Sequence, residues 1–237
     1  MDRGISDVLG YVLVFSLILG SITIVYVGGF NSLTHLRDAE RIDNAERAFD
    51  VLDTNVDDLV LDDAPSRATE LTLARSSLTF GDPVAISVDI AGTTYRTQID
   101  PIVFTAGDGN KLVYANGAII RVDGSESVMI DTPPFLFGDR TLIPIVDTRS
   151  IGSGVGGSGR VLIRTTVAQR TLTNVSGAGP YDYTLNVTTS NTDAWEEYLE
   201  GRMGDANSCS VIGDTVTCTG RADSVYIKKT AIDVRFL

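Results

Sequence analysis

Cys209 and Cys218 flank Ser-Val-Ile-Gly-Asp-Thr-Val-Thr, in which Gly213-Asp214 is a turn signal between two short alternating arms. Across such a hairpin the pair is placed for a disulfide in an oxidising compartment, with a pair of free thiols as the alternative. Two cysteines and one distant histidine, His35, do not supply the usual four ligands of a structural zinc site. Asn174-Val175-Ser176 and Asn186-Val187-Thr188 are N-x-S/T triplets, so Asn174 and Asn186 are glycosylation candidates, although such triplets also arise by chance. Gly152-Ser153-Gly154-Val155-Gly156-Gly157 matches the G-x-G-x-x-G string of dinucleotide sites. A strand pattern, Arg160-Val161-Leu162-Ile163, follows it where those sites need a helix, so the stretch reads as a flexible Gly/Ser loop. Asp57-Asp58 and Asp62-Asp63 lack the alternation and glycine of an EF-hand loop and read as a solvated acidic helix end. No Ser/His/Asp set, H-E-x-x-H string or convincing carboxylate pair stands out. The expectation is a non-enzymatic chain with no cofactor and no metal.

The elements that carry these residues follow from hydrophobic periodicity. Val8 to Phe30 is a run of 23 residues without a charge, and about 20 apolar residues suffice to cross a bilayer as a helix. Within it Ser16 and Gly20 form a small-xxx-small pair through which two such helices can approach closely. Ile42, Ala45, Phe49, Leu52, Val56 and Leu59 then recur at spacings of 3, 4, 3, 4 and 3, an a/d seam among charged neighbours. Gly28-Gly29 offers a place to bend the helix, and Ala64-Pro65-Ser66 ends it.

Beyond Ser66 the period becomes two. Val84, Ile86, Val88 and Ile90 share one face, Asn116-Gly117 marks a type I′ hairpin, and further strands are expected over 142–146, 161–168, 181–189 and 225–236. Residues 193–203 break this pattern as a short helix, with Asp193 and Glu196 at capping-box spacing and Trp195, Tyr198 and Leu199 on its apolar side. The fold class is α+β: a long N-terminal hydrophobic helix, then a mainly antiparallel β-rich globular head. The expected divisions are a leader over 1–4, a transmembrane or assembly helix over 5–30, an amphipathic extracytoplasmic stalk over 31–63, and the head over 64–237.

The chain carries 31 acidic against 19 basic residues, for a net charge of -12. That balance disfavours nucleic acid, whose phosphates need a basic face. Aspartate greatly outnumbers glutamate, and the only lysines are Lys111, Lys228 and Lys229. At high salt the self-repulsion of so acidic a surface is screened within about 3 Å at 1 M, so the bias reads as halophilic adaptation.

Asp2-Arg3-Gly4, then Ile5-Ser6-Asp7, precede the apolar run. This order resembles the class III signal of archaeal, and in particular haloarchaeal, type IV pilins and related secreted proteins. The resemblance implies processing by a prepilin peptidase at Arg3-Gly4-Ile5, with Gly4 the last leader residue and Ile5 the new N-terminus. Bacterial pilins carry a glutamate at the fifth mature position, where this chain has Leu9. Asp7 is the nearby carboxylate, either pairing with a neighbouring subunit's amino terminus or lying among the headgroups. The implied partners are other copies through the N-terminal helices, membrane lipid and the pilus assembly machinery. Arg3 precedes the run while Arg37, Arg41 and Arg47 follow it, so the positive-inside count does not favour an external C-terminus. The cysteine pair and the sequons do, and long downstream domains translocate largely regardless of charge. The implied function is a surface filament subunit, major or minor, with the head outside and suited to adhesion. The alternative is a monomeric, single-pass, membrane-anchored surface binding protein.

Overall fold

The computed structural model describes the backbone of residues 3–107, 109–204 and 208–237, and the side chains of these residues except 3–8, 27–39 and 178. The chain divides into two compact units, Met1–Arg41 and Ile42–Leu237. One helix, α1 (Arg3–Val60), contributes to both, and its backbone is helical through Gly28-Gly29.

The second unit begins inside the amphipathic stalk expected over 31–63, one stripe of which is expected to pack on the outer domain. The reason is the a/d seam: Ile42, Ala45, Phe49, Leu52, Val56 and Leu59 are all buried. About five turns of α1 are therefore core of the head. Removing these side chains from water stabilises the unit by roughly 1.5–3 kcal/mol for each large one.

Among the described residues, eleven strands follow α1. They are β1 (Ser66–Phe80), β2 (Val84–Ile90), β3 (Thr93–Ile99), β4 (Ile102–Thr105), β5 (Lys111–Ala115), β6 (Ala118–Asp123), β7 (Glu126–Asp131), β8 (Arg140–Ser150), β9 (Val155–Thr188), β10 (Ser208–Ile212) and β11 (Thr215–Phe236). A second helix, α2 (Thr192–Met203), lies between β9 and β10. The sheet runs β10-β11-β9-β1-β4-β5-β6-β7, with β2 on β9, β3 on β2, and β8 on β11. Among the described residues all pairings are antiparallel except β8 with β11, which run parallel from Arg140 opposite Ser224 to Ser150 opposite Val234.

The separate strands expected over 161–168 and 181–189 are one 34-residue strand, β9. It pairs with β1 at one end, β2 at the other, and β11 along most of its length. The glycine stretch departs from its expectation too. Gly156 and Gly157 lie inside β9, opposite Ser77 and Ser76, beside the bulge at Arg75 of β1, whose φ is 57°. Only residues 151–154 remain outside strands there, and a Cβ on Gly154 would fall 2.9 Å from the Leu78 carbonyl oxygen.

Two cores result. The first joins α1 to one sheet face, including Leu71 and Leu78 of β1, Phe104 of β4, Tyr114 of β5, Ile163 of β9 and Val234 of β11. The second lies against α2 and gathers the β2 face Val84, Ile86, Val88 and Ile90, with Ile143 and Ile145 of β8 and Leu185 of β9. Trp195, Tyr198 and Leu199 of α2 are buried there, as their spacing predicts. The helix starts at Thr192 after Asn191, which makes no side-chain cap, so Asp193 sits in the first turn and no capping box is centred on it.

Candidate functional site

In the first unit the stretch Leu9–Tyr26 is long and apolar enough to cross a membrane, with a mean hydropathy of 2.1 and no buried side chain. Its serine and threonine hydroxyls are satisfied internally. Ser16, Ser21 and Thr23 each donate a 2.8 Å hydrogen bond to the carbonyl four residues earlier, on Val12, Leu17 and Leu19. That arrangement satisfies these three donors within the helix itself. Gly20, one turn after Ser16, has open space where a side chain would be. Arg3, Gly4, Ile5 and Asp7 fall in the helical backbone, but their side chains, and that of His35, lie outside the described residues.

In the second unit the C-terminus of α1 is held by cations from the sheet. Helices end with unpaired carbonyls and a negative dipole, and α1 has no basic residue in its last turn. Arg170 of β9 donates to the Leu59 and Ala64 carbonyls at 2.8 and 3.0 Å, and Lys228 of β11 donates to Val60 at 2.6 Å. The acidic helix end is thus partly paired rather than simply solvated: Asp58 meets Arg67 at 2.9 Å and Asp63 meets Arg170 at 3.4 Å.

One turn earlier, carboxyls converge on a buried phenol. Tyr114 of β5 is fully buried beside Asp53 of α1, and among the described residues neither Tyr114 Oη nor Asp53 Oδ1 makes a hydrogen bond within the usual distance and angle limits. Burial first, then repulsion from Asp57 and Asp131, pushes the Asp53 carboxyl up to about 7. Burial also raises Asp57, with Asp131 and Asp58 adding to it, while burial and Asp53 hold the Tyr114 phenol well above its ordinary range. The Asn116-Gly117 turn closes over this spot. Its positive φ angles of 57° and 77° fit the predicted type I′ hairpin, yet Asn116 is fully buried, and its Oδ1 accepts a 2.8 Å bond from the Val146 amide. Among the described residues, no group of three or more His, Cys, Asp or Glu side chains has the geometry to hold a metal ion.

Cys209 and Cys218 stand opposite each other across β10 and β11 and form a disulfide. The sequons separate. Asn174 is exposed on β9, whereas Asn186 lies mid-sheet, its amide donating to Ser87 and Asp89 at 3.3 and 3.0 Å and accepting from Thr217 at 2.9 Å. The amide nitrogen that would carry a glycan is therefore occupied at Asn186 and open to solvent at Asn174. Asp53, Arg170 and Lys228 were not marked by the sequence. Nothing in the residues beside them singles them out, because the partners Tyr114, Leu59 and Val60 lie tens to more than a hundred positions away along the chain.

A family of unknown function, DUF7289, matches residues 3–235, and the chain belongs to it. No curated protein and no solved structure matches the chain.

Proposed function

We propose that this DUF7289 protein is a type IV pilin-like surface subunit, held in the membrane and assembled through its N-terminal helix, with the β-rich unit on the outside. The observation that carries the reading is the wholly exposed apolar span Leu9–Tyr26, in the same helix whose later seam is core of the head. A membrane or a set of like helices gives such a span its apolar surroundings. Close fit between helices then decides association, because lipid is as apolar as the helix itself. The Ser16 and Gly20 positions supply low-relief surface for that fit. The Cys209–Cys218 disulfide supports an oxidising, extracytoplasmic location. The excess of aspartate over other charges supports work at high salt.

A monomeric anchored binding module is the second reading. It is favoured by a polar cleft of about 520 Å³ lined by Asp82, Lys111, Asn191 and Asp193 with several hydroxyls, a set suited to a small polar ligand.

The N-terminal residue of the chain, read by peptide mass analysis in membranes and in sheared surface material, separates the two. A chain starting at Ile5 in sheared filaments is expected for the assembled subunit. A chain keeping residues 1–4 and confined to membranes would replace that reading with the anchored module.

A further inference from the structure

Arg164 of β9 and Arg235 of β11 stand directly opposite each other in the antiparallel register. Both side chains are exposed, and neither makes an ion pair or side-chain hydrogen bond among the described residues. Like charges in directly opposed positions repel and destabilise a sheet. The neighbouring arginines are neutralised: Arg160 meets Glu70 at 3.3 Å, and Arg149 meets Asp147 at 2.9 Å. An acidic chain with carboxylates to spare thus leaves two cations side by side and unpaired. They line an open cleft of about 500 Å³ with Ser66, Thr166, Asp233 and Ile151. Thr166 lies opposite both Ser66 of β1 and Asp233 of β11, one step along the same face from the arginines.

We propose that this cleft is an anion site, in which the Arg164 and Arg235 guanidinium groups clamp a singly charged oxyanion, a sulfate ester or a carboxylate, with the Thr166 and Ser66 hydroxyls as further donors. Opposed Cβ atoms on paired strands lie about 5 Å apart, so two long side chains can close on one group. Each planar fork offers parallel N–H donors that match the spacing of two oxygens. Asp233 offsets one of the two positive charges, which suits a monoanion better than a more highly charged group. The bound anion removes the arginine–arginine repulsion, so binding and stability are linked. The inference does not depend on how the N-terminal helix is used. The oxyanion is either free in solution or carried on an acidic surface polysaccharide.

The test is thermal unfolding of the full chain in non-ionic detergent micelles at constant ionic strength, with methyl sulfate replacing chloride, and separately with dextran sulfate against plain dextran. A saturable rise in Tm with methyl sulfate, lost in Arg164→Gln and Arg235→Gln, assigns a free anion. A rise with dextran sulfate alone, lost in the same variants, assigns a polymer-borne group. Without added anion, Arg235→Gln should melt no lower than the unmodified chain, since it relieves repulsion, which separates lost binding from lost folding. Arg235→Lys keeps the charge but not the fork and should need several-fold more ligand for the same rise. No rise with either probe, or a rise that persists in both glutamine variants, overturns the proposal.

Discussion

The Arg170 guanidinium donates a 2.8 Å hydrogen bond to the backbone carbonyl of Leu59, 111 residues earlier in the chain. A single side chain of β9 thereby caps the end of α1, donating to the Leu59 and Ala64 carbonyls and pairing with the Asp63 carboxylate. Hydrogen bonds from a charged donor to otherwise unpaired carbonyls contribute about 1.5–3 kcal/mol.

Arg170→Ala is therefore expected to lower stability by about 1.5–3 kcal/mol, with Arg170→Lys recovering part of the loss. Urea unfolding followed by circular dichroism in detergent measures it. An unchanged midpoint for the alanine variant would mean that water replaces the guanidinium at no cost.

Asp53 should give the head a pH-dependent stability. Its carboxyl titrates near 7 in the folded chain against 3.8 as its ordinary value, because burial and the charges of Asp57, Asp131 and Asp50 oppose ionisation beside the neutral Tyr114 phenol. Between those two values the folded state binds more protons than the unfolded one. Stability contributed by the protonated form is thus present below about pH 4 and is lost as pH rises through 7. The slope from this one group is at most about 1.4 kcal/mol per pH unit. Asp57 is raised in the same direction. Asp53→Asn should flatten the fall over that range and make the variant the more stable chain at pH 8. Parallel stability profiles for the two chains would count against the assignment.

The Cys209–Cys218 bridge closes a short loop between an edge strand and β11. Chain entropy assigns such a loop about 2–3 kcal/mol. The double variant Cys209→Ser, Cys218→Ser should lose about that much. Its amide exchange should speed first over β10, which among the described residues pairs with β11 alone, rather than in the two cores. Uniform acceleration across the second unit would instead show that the bridge guards global unfolding.

Much of this architecture was legible locally. The 3-4 spacing from Ile42 to Leu59 marked the residues that are buried, the alternation over Val84–Ile90 marked a core face, and Asn116-Gly117 and Gly213-Asp214 marked hairpins. These are properties of residues a few positions apart, where the periods of helix and strand act directly on the pattern. The amide of Asn186 shows the limit. Its triplet is as good a sequon as that of Asn174, yet its hydrogen bonds to Ser87, Asp89 and Thr217 span about a hundred residues on one side and about thirty on the other.

The sequence by itself determined an exposed apolar helix, a buried helical seam and a β-rich remainder, because burial preference and period are carried by each segment alone. The tertiary structure decided which strands became the continuous β9 and β11, and that β8 runs parallel to β11. It also set Arg170 under the end of α1, Tyr114 against Asp53, and Arg164 beside Arg235. Those pairings join residues tens to more than a hundred positions apart. Strand partner and register are chosen by the packing of both cores at once, and no single segment encodes that choice.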